Sequence, residues 1–157
     1  MSIERVRAYL ASKGMADRII EPEASSATVV LAAEALGTTP GHIAKTMSFY
    51  VDDAPVLVLA AGDVKVDNKK FKETFHKKAK MIPPAEVEEA VGHAPGGVCP
   101  FVVKEGVKVW LDRSLQKYDV VYPAAGNDHS GVRLTPEELY ELAAAAGWVD
   151  VCKEMEQ

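Results

Sequence analysis

Residues 44–61 read AKTMSFYVDDAPVLVLAA, and no other part of the chain says as much about its architecture. In the first half Met47, Phe49 and Val51 alternate with more polar neighbours, the period of a half-buried strand. Asp52-Asp53 breaks the pattern. The run VLVLAA that follows, residues 56–61, is apolar at every position, so both of its faces meet the core and it belongs in the middle of a sheet. Two strands joined by so short a polar break form a hairpin, which makes part of that sheet antiparallel.

Upstream, the turn TTPGH (38–42) follows SSATVVLAAEALG (25–37), a helix with Ser25, Ser26 or Thr28 as its cap and Gly37 as its stop. Ile19-Ile20 makes a brief strand that ends at Pro22. Ile3, Val6 and Leu10 recur at helical spacing behind Ser2, a candidate N-cap, with Gly14 as terminator. Downstream, Asp67 caps a helix over 68–76 whose Phe71 and Phe75, four apart, share one face and read as core. KMIPP (80–84) is a short strand, residues 84–91 an acidic helix ended by Gly92, and HAPGGVCPF (93–101) is too rich in Gly and Pro for anything but a loop. Strands follow at 107–111 and 120–124, then the turn GNDHSG (126–131) and a third strand at 132–134. Thr135 and Glu138 form a capping box with Pro136 at the first helical position, and Gly147 is the predicted stop of this last helix. The expected fold is α+β: a mixed, partly antiparallel central sheet with surrounding helices, residues 1–157 making a single domain.

With 157 residues, 48% hydrophobic, the chain has apolar material for one core. No run approaches the roughly 20 apolar residues that cross a bilayer, and the opening MSIERVRAYL is charged where a signal peptide is apolar. A soluble, cytoplasmic protein without a membrane partner is expected. Cys99 and Cys152 lack CxxC spacing, and His42, His76, His93 and His129 lack an HExxH pattern, so no metal or other cofactor is called for. A net charge of -5 argues against DNA held by bulk electrostatics. Yet between Asp63 and Lys80 seven lysines face only three acids, a local basic patch suited to brief contact with an RNA end. A solvated lysine-rich helix face has the same composition.

Standard hydrolase machinery is missing from the sequence: no GxSxG elbow, no Walker loop, no GxGxxG. Cys99 reads first as a small buried hydrophobe. What remains is Lys45 at the mouth of an otherwise apolar strand, where it could also simply snorkel from the sheet edge, and two glycine-rich loops. Consecutive glycines at 96 and 97 let backbone N–H groups approach an oxyanion, or merely make a tight turn.

Taken in order, however, these segments resemble the YbaK/ProX-type aminoacyl-tRNA deacylases and the editing insertion of bacterial prolyl-tRNA synthetase. The resemblance runs through residues 26–37, GHIAKTMSF around Lys45, VLVLAAGDVKVD (56–67), VGHAPGGVCPF (91–101), VWLDRSL (109–115) and AAGNDHSGVRLTPEEL (124–139). It implies hydrolysis of the ester joining a wrong amino acid to the 3′ end of a tRNA, most often that for proline. By the same resemblance Lys45 is the residue tied to activity, and Gly96, Gly97, Pro100 and Gly126 wall the pocket beside Thr46. Where many members carry a glycine- and serine-rich run, this chain has Asn127, Asp128 and His129, whose side chains could enter the pocket and set preference. The implied partners are the acceptor end of aminoacyl-tRNA and the synthetase for proline; the tRNA contact expected from the local charge is the lysine patch, through Lys65, Lys69, Lys70 and Lys72. Alternatives are a non-catalytic module that binds the acceptor end or a synthetase, and a binder of an unrelated small molecule.

Overall fold

Asp52 and Asp53 form a two-residue hairpin loop in which both take left-handed angles, φ 51° and 64°, as a primed turn matched to strand twist requires. The computed structural model describes residues 2–155. Its elements run α1 (Ser2–Ser12), β1 (Ile19–Ile20), α2 (Val29–Leu36), β2 (Ala44–Val51), β3 (Ala54–Ala61), β4 (Val64–Val66), α3 (Asn68–Phe75), α4 (Pro84–Val91), β5 (Lys108–Asp112), β6 (Gly131–Val132), α5 (Pro136–Leu142), β7 (Gly147–Val149) and β8 (Cys152–Glu154). The main sheet has the order β2-β3-β5-β7. β2 and β3 are antiparallel and in register from Val51 opposite Ala54 to Ala44 opposite Ala61, while β3–β5 and β5–β7 are parallel. This is the mixed α+β architecture expected, with β3 inside the sheet and buried from Val56 to Ala61. Two antiparallel ribbons, β1–β6 and β4–β8, flank it.

Side chains fix the helix starts. Thr28 accepts from the Leu31 N–H, Asp67 from those of Lys69 and Lys70, and the Thr135–Glu138 capping box is complete in both directions. α1 buries Ile3, Val6 and Leu10, α4 Val87 and Val91, α5 Leu139 and Leu142, all in one core with β3. Phe71 packs between Phe49 and Phe75, ring centroids 4.8 and 4.7 Å away, and Phe75 meets the edge of Trp110 at 5.7 Å. The two phenylalanines are core, as their spacing predicts.

Several boundaries differ from the sequence expectation. α5 ends at Leu142, not at Gly147; Ala144 turns the chain at φ 48°. The Ala146 N–H then donates to Val109 O at 2.7 Å, which starts β7 beside β5. A Cβ on Gly147 would come within 3.1 Å of Trp110 Cζ3, so glycine serves close packing on an indole rather than helix termination. The segment at 120–124 contributes only isolated bridges, Val121 to Leu134 and Ile43 to Tyr122, and KMIPP only Phe49 to Met81. β6 at Gly131–Val132, paired with β1, replaces the strand expected at 132–134. β4, β7 and β8 have three residues each, too few to show a period.

Candidate functional site

α2 packs apart from the main core. Ala32, Ala33 and Ile43 form a small cluster of their own, with Val29, Leu36 and Tyr122 against it. Between this cluster and the end of β2 lies a cleft of about 210 Å³, lined at its base by Ala32, Leu36, Ile43 and Tyr122 and at its rim by Ser26, Lys45, Thr46, Gly96, Val98 and Ser130. The hairpin register delivers Lys45 and Thr46 to this end of the sheet, opposite Ala60 and Leu59.

Lys45 is half-buried, and its amine donates to Val64 O at the start of β4. Burial lowers its pKa below the ordinary lysine value, against the attraction of nearby Cys152 and Asp63. Cys152 is itself pushed up to about 12, by burial first and then by Asp112, so near neutrality it is an uncharged thiol and Asp63 is the effective countercharge. Asp63 accepts from the Tyr118 hydroxyl at 2.5 Å, which lifts that phenol to about 12, and leaves its Oδ1 buried without a partner. Thr46 Oγ1 is likewise buried and unpartnered, a state that costs roughly 1–3 kcal/mol unless something satisfies it.

The loop at 93–101 is held by a buried staple. His93, with no exposure, joins Phe101 O through Nε2 at 2.6 Å, beside Cys99 Sγ at 3.5 Å. Burial lowers the His93 pKa and lifts the Cys99 thiol to about 12, so Cys99 is the buried hydrophobe its isolation implied rather than a nucleophile. Gly96, at φ 88°, reaches the cleft. Gly97 does not: its N–H donates to Ala94 O at 3.0 Å, and a Cβ there would meet Gly126 O at 2.8 Å. The expectation that the Gly97 amide meets an oxyanion is therefore corrected. The amides of Gly96 and Val98, both in the cleft wall, have no acceptor among the described residues.

Of the other predicted residues, Pro100 is buried, and Gly126, at φ 106°, lies against the backbone of Ser2 and Ile3 with its carbonyl accepting from Ser2 Oγ at 2.6 Å. Asn127, Asp128 and His129 do not line the cleft. Asn127 Oδ1 is occupied by the His129 N–H in its own turn at 3.1 Å, and the His129 ring leans on Asp128 at 3.1 Å and on Glu21 at 3.9 Å. Lys65, Lys69 and Lys72 are exposed, whereas Lys70 pairs with Asp150 at 3.2 Å and donates to Cys152 O at 2.9 Å. Among the described residues no cluster of three or more His, Cys, Asp or Glu is placed to hold a metal ion.

Sequence reasoning missed Ser130, Val98 and the apolar base. Ser130 follows the three conspicuous side chains of its turn, yet it is the one of the four that lines the cleft, where it is buried. It is knitted to the lead-in of α2, its N–H donating to Ser26 Oγ at 3.0 Å and its carbonyl accepting from that hydroxyl at 3.3 Å. Neither of the two serines stands out in its own stretch of sequence; only their contact across 104 positions gives them meaning.

Residues 23–142 match the model of the aminoacyl-tRNA editing domain. The chain is 45% identical over 157 residues to YwhH of Bacillus subtilis (strain 168), an uncharacterised protein, with 99% of this chain and 100% of that one covered. It is 31% identical over 123 residues to the proline–tRNA ligase of Streptococcus equi subsp. zooepidemicus (strain H70), and 37% over 103 residues to that of Ligilactobacillus salivarius (strain UCC118). These cover 76% and 64% of this chain but only 19% and 17% of the ligases. The solved structure of a proposed trans-editing enzyme for prolyl tRNA synthetase superposes with a TM-score of 0.86 at 31% identity, covering 97% of both chains. Among the described residues no helix is long and apolar enough to cross a membrane. The chain belongs to the aminoacyl-tRNA editing domain family.

Proposed function

We propose that the protein is a free-acting deacylase that removes a small, wrongly attached amino acid from tRNA, with the tRNA for proline as its expected substrate. The observation that carries this reading is the meeting of Lys45, Thr46 and the glycine loop around one small cleft with an apolar base. The Lys45 cation leaves Val64 O to hold the terminal adenosine or its phosphate. The amides of Gly96 and Val98 meet the developing oxyanion, each such donor contributing roughly 3–4 kcal/mol. Water oxygen adds to the ester carbonyl carbon while its proton passes to the neighbouring ribose hydroxyl. That hydroxyl gives its own proton to the departing ribose oxygen as the ester bond breaks, leaving a free amino acid and a free 3′ end. An aminoacyl ester is already activated, so positioning and oxyanion stabilisation suffice without a covalent nucleophile. The apolar base of Ala32, Leu36, Ile43 and Tyr122 limits the bulk of the side chain admitted.

The test is deacylation of tRNAs charged with Ala, Ser, Cys, Thr and Pro by wild type and Lys45→Ala. We expect at least one to be hydrolysed, and the variant to lose about 100-fold or more in kcat/KM while keeping its thermal midpoint within a few degrees. No hydrolysis at high enzyme concentration removes the enzyme reading and leaves a module that only binds the acceptor end. Equal rates with and without Lys45 keep deacylation but remove this site.

A further inference from the structure

In the β4–β8 ribbon Lys65 stands directly opposite Lys153. Their neighbours Val64 and Cys152 turn inward, at 3% and 6% exposure, so both lysines share the solvent face and both are exposed. Like charges directly opposite on an antiparallel pair destabilise it, and this ribbon has only three residues per strand. Neither lysine is ion-paired among the described residues. More cations gather alongside. Lys69 and Lys70 open α3, and Arg113 and Lys117, from the turn of 3₁₀ helix at Arg113–Lys117, share with Lys70 and Lys153 a groove of about 450 Å³.

Most nearby acids are already used. Asp112 is buried and accepts from the N–H groups of Ser114 and Val151 at 2.9 and 2.8 Å; Asp150 takes Lys70 at 3.2 Å and Arg113 at 3.9 Å; Asp67 caps α3. Glu154 is the remaining carboxylate of the groove. Four separated segments thus bring cations to the ribbon and the groove beside it, and the Lys65–Lys153 repulsion, which Asp67 eases only in part through its attraction to Lys153, is relieved further by an anion from outside. Cations spread in this way, rather than gathered in a single pocket, suit a polyanion. The spread also reaches the cleft: Lys65 follows Val64, whose carbonyl holds the Lys45 amine.

We propose that the β4–β8 ribbon, with Lys65 and Lys153 at its centre, grips the phosphodiester backbone of the tRNA acceptor stem and leads the 3′ end to the cleft. What the cleft does rests on the deacylase reading; the grip does not. Lys70 is no substitute for either member of the pair, because it ties α3 to β8 and its loss disturbs the ribbon itself.

The experiment measures binding of uncharged tRNA to the full chain by fluorescence anisotropy over a salt series. For Lys65→Gln/Lys153→Gln we expect affinity to fall about tenfold or more at low salt, and the slope of log K against log[salt] to become shallower by roughly 1.4–1.8 for the two contacts removed. The thermal midpoint should hold or rise, because a repulsion is gone. Lys13→Gln/Lys104→Gln, which removes the same charge elsewhere, should leave the slope unchanged. An unchanged slope in the ribbon variant, an equal change in the control pair, a lowered midpoint, or no wild-type binding at low salt would each overturn the proposal. Because the tRNA carries no amino acid, the result is independent of hydrolysis, and a failed deacylation panel beside intact ribbon binding sinks only the deacylase reading.

Discussion

A lysine held by one backbone carbonyl in partly dry surroundings keeps its proton less readily than one in water, and Lys45 is in that position. If its cation holds the substrate, the activity it supports is present below its lowered pKa and lost as pH rises through it, earlier than the ordinary value of 10.5 would give. We expect kcat/KM, corrected for spontaneous ester hydrolysis, to show this falling alkaline limb. Lys45→Arg should abolish the limb while lowering the rate, since a guanidinium stays charged but is bulkier and planar where the small cleft is shaped around a compact ammonium. A rate that climbs as Lys45 deprotonates would make the amine a base instead. Lys45 and Gly96 were legible because each is conspicuous in its local text. Val98 and Ser130 were not, since one offers only its amide and the other acquires its neighbour Ser26 through folding.

Among the elements, α2 is the wall of the cleft, and a glycine makes room for it. A Cβ on Gly131 would lie 2.5 Å from Leu36 Cδ1 and 3.2 Å from Cδ2. Gly131→Ala should therefore push Leu36 toward the cleft, at a stability cost of about 1–3 kcal/mol. In the charged-tRNA panel its kcat/KM for Thr should fall more than for Ala, and an unchanged Thr/Ala ratio would detach Leu36 from selectivity. The start of α5 carries a pH response. Glu138 is held below its ordinary 4.5 by the Thr135 N–H and then by Arg18, which it meets at 3.0 and 3.1 Å. A depressed carboxyl stabilises the fold above its unfolded value, and that stabilisation is lost as pH falls through the folded value. Urea midpoints should thus drop below pH 4.5, and Glu138→Gln should flatten the drop. This capping box was readable from four consecutive residues; the Arg18 partner, 120 positions away, was not.

For the whole molecule, alternation in β2, the apolar run in β3 and the cap signals were sufficient for an α+β sheet with β3 inside. Strand order was beyond them, because β5 and β7 add to β3 in parallel through long connections that leave no local trace. The same holds for Gly147, whose glycine is explained by Trp110 and not by its neighbours in sequence. The stretch matching the family model ends at residue 142, before β7, yet β7 is what occupies the outer side of β5. A chain ended at residue 142 would bare unpaired amide and carbonyl groups along Trp110, Leu111 and Asp112, a template for a second copy. We expect such a fragment to self-associate in light scattering, and one ending at 155 to stay dispersed. Those three residues, Gly147–Val149, thus act as a gatekeeper against cross-chain pairing, and protein engineers who borrow this domain should carry them along.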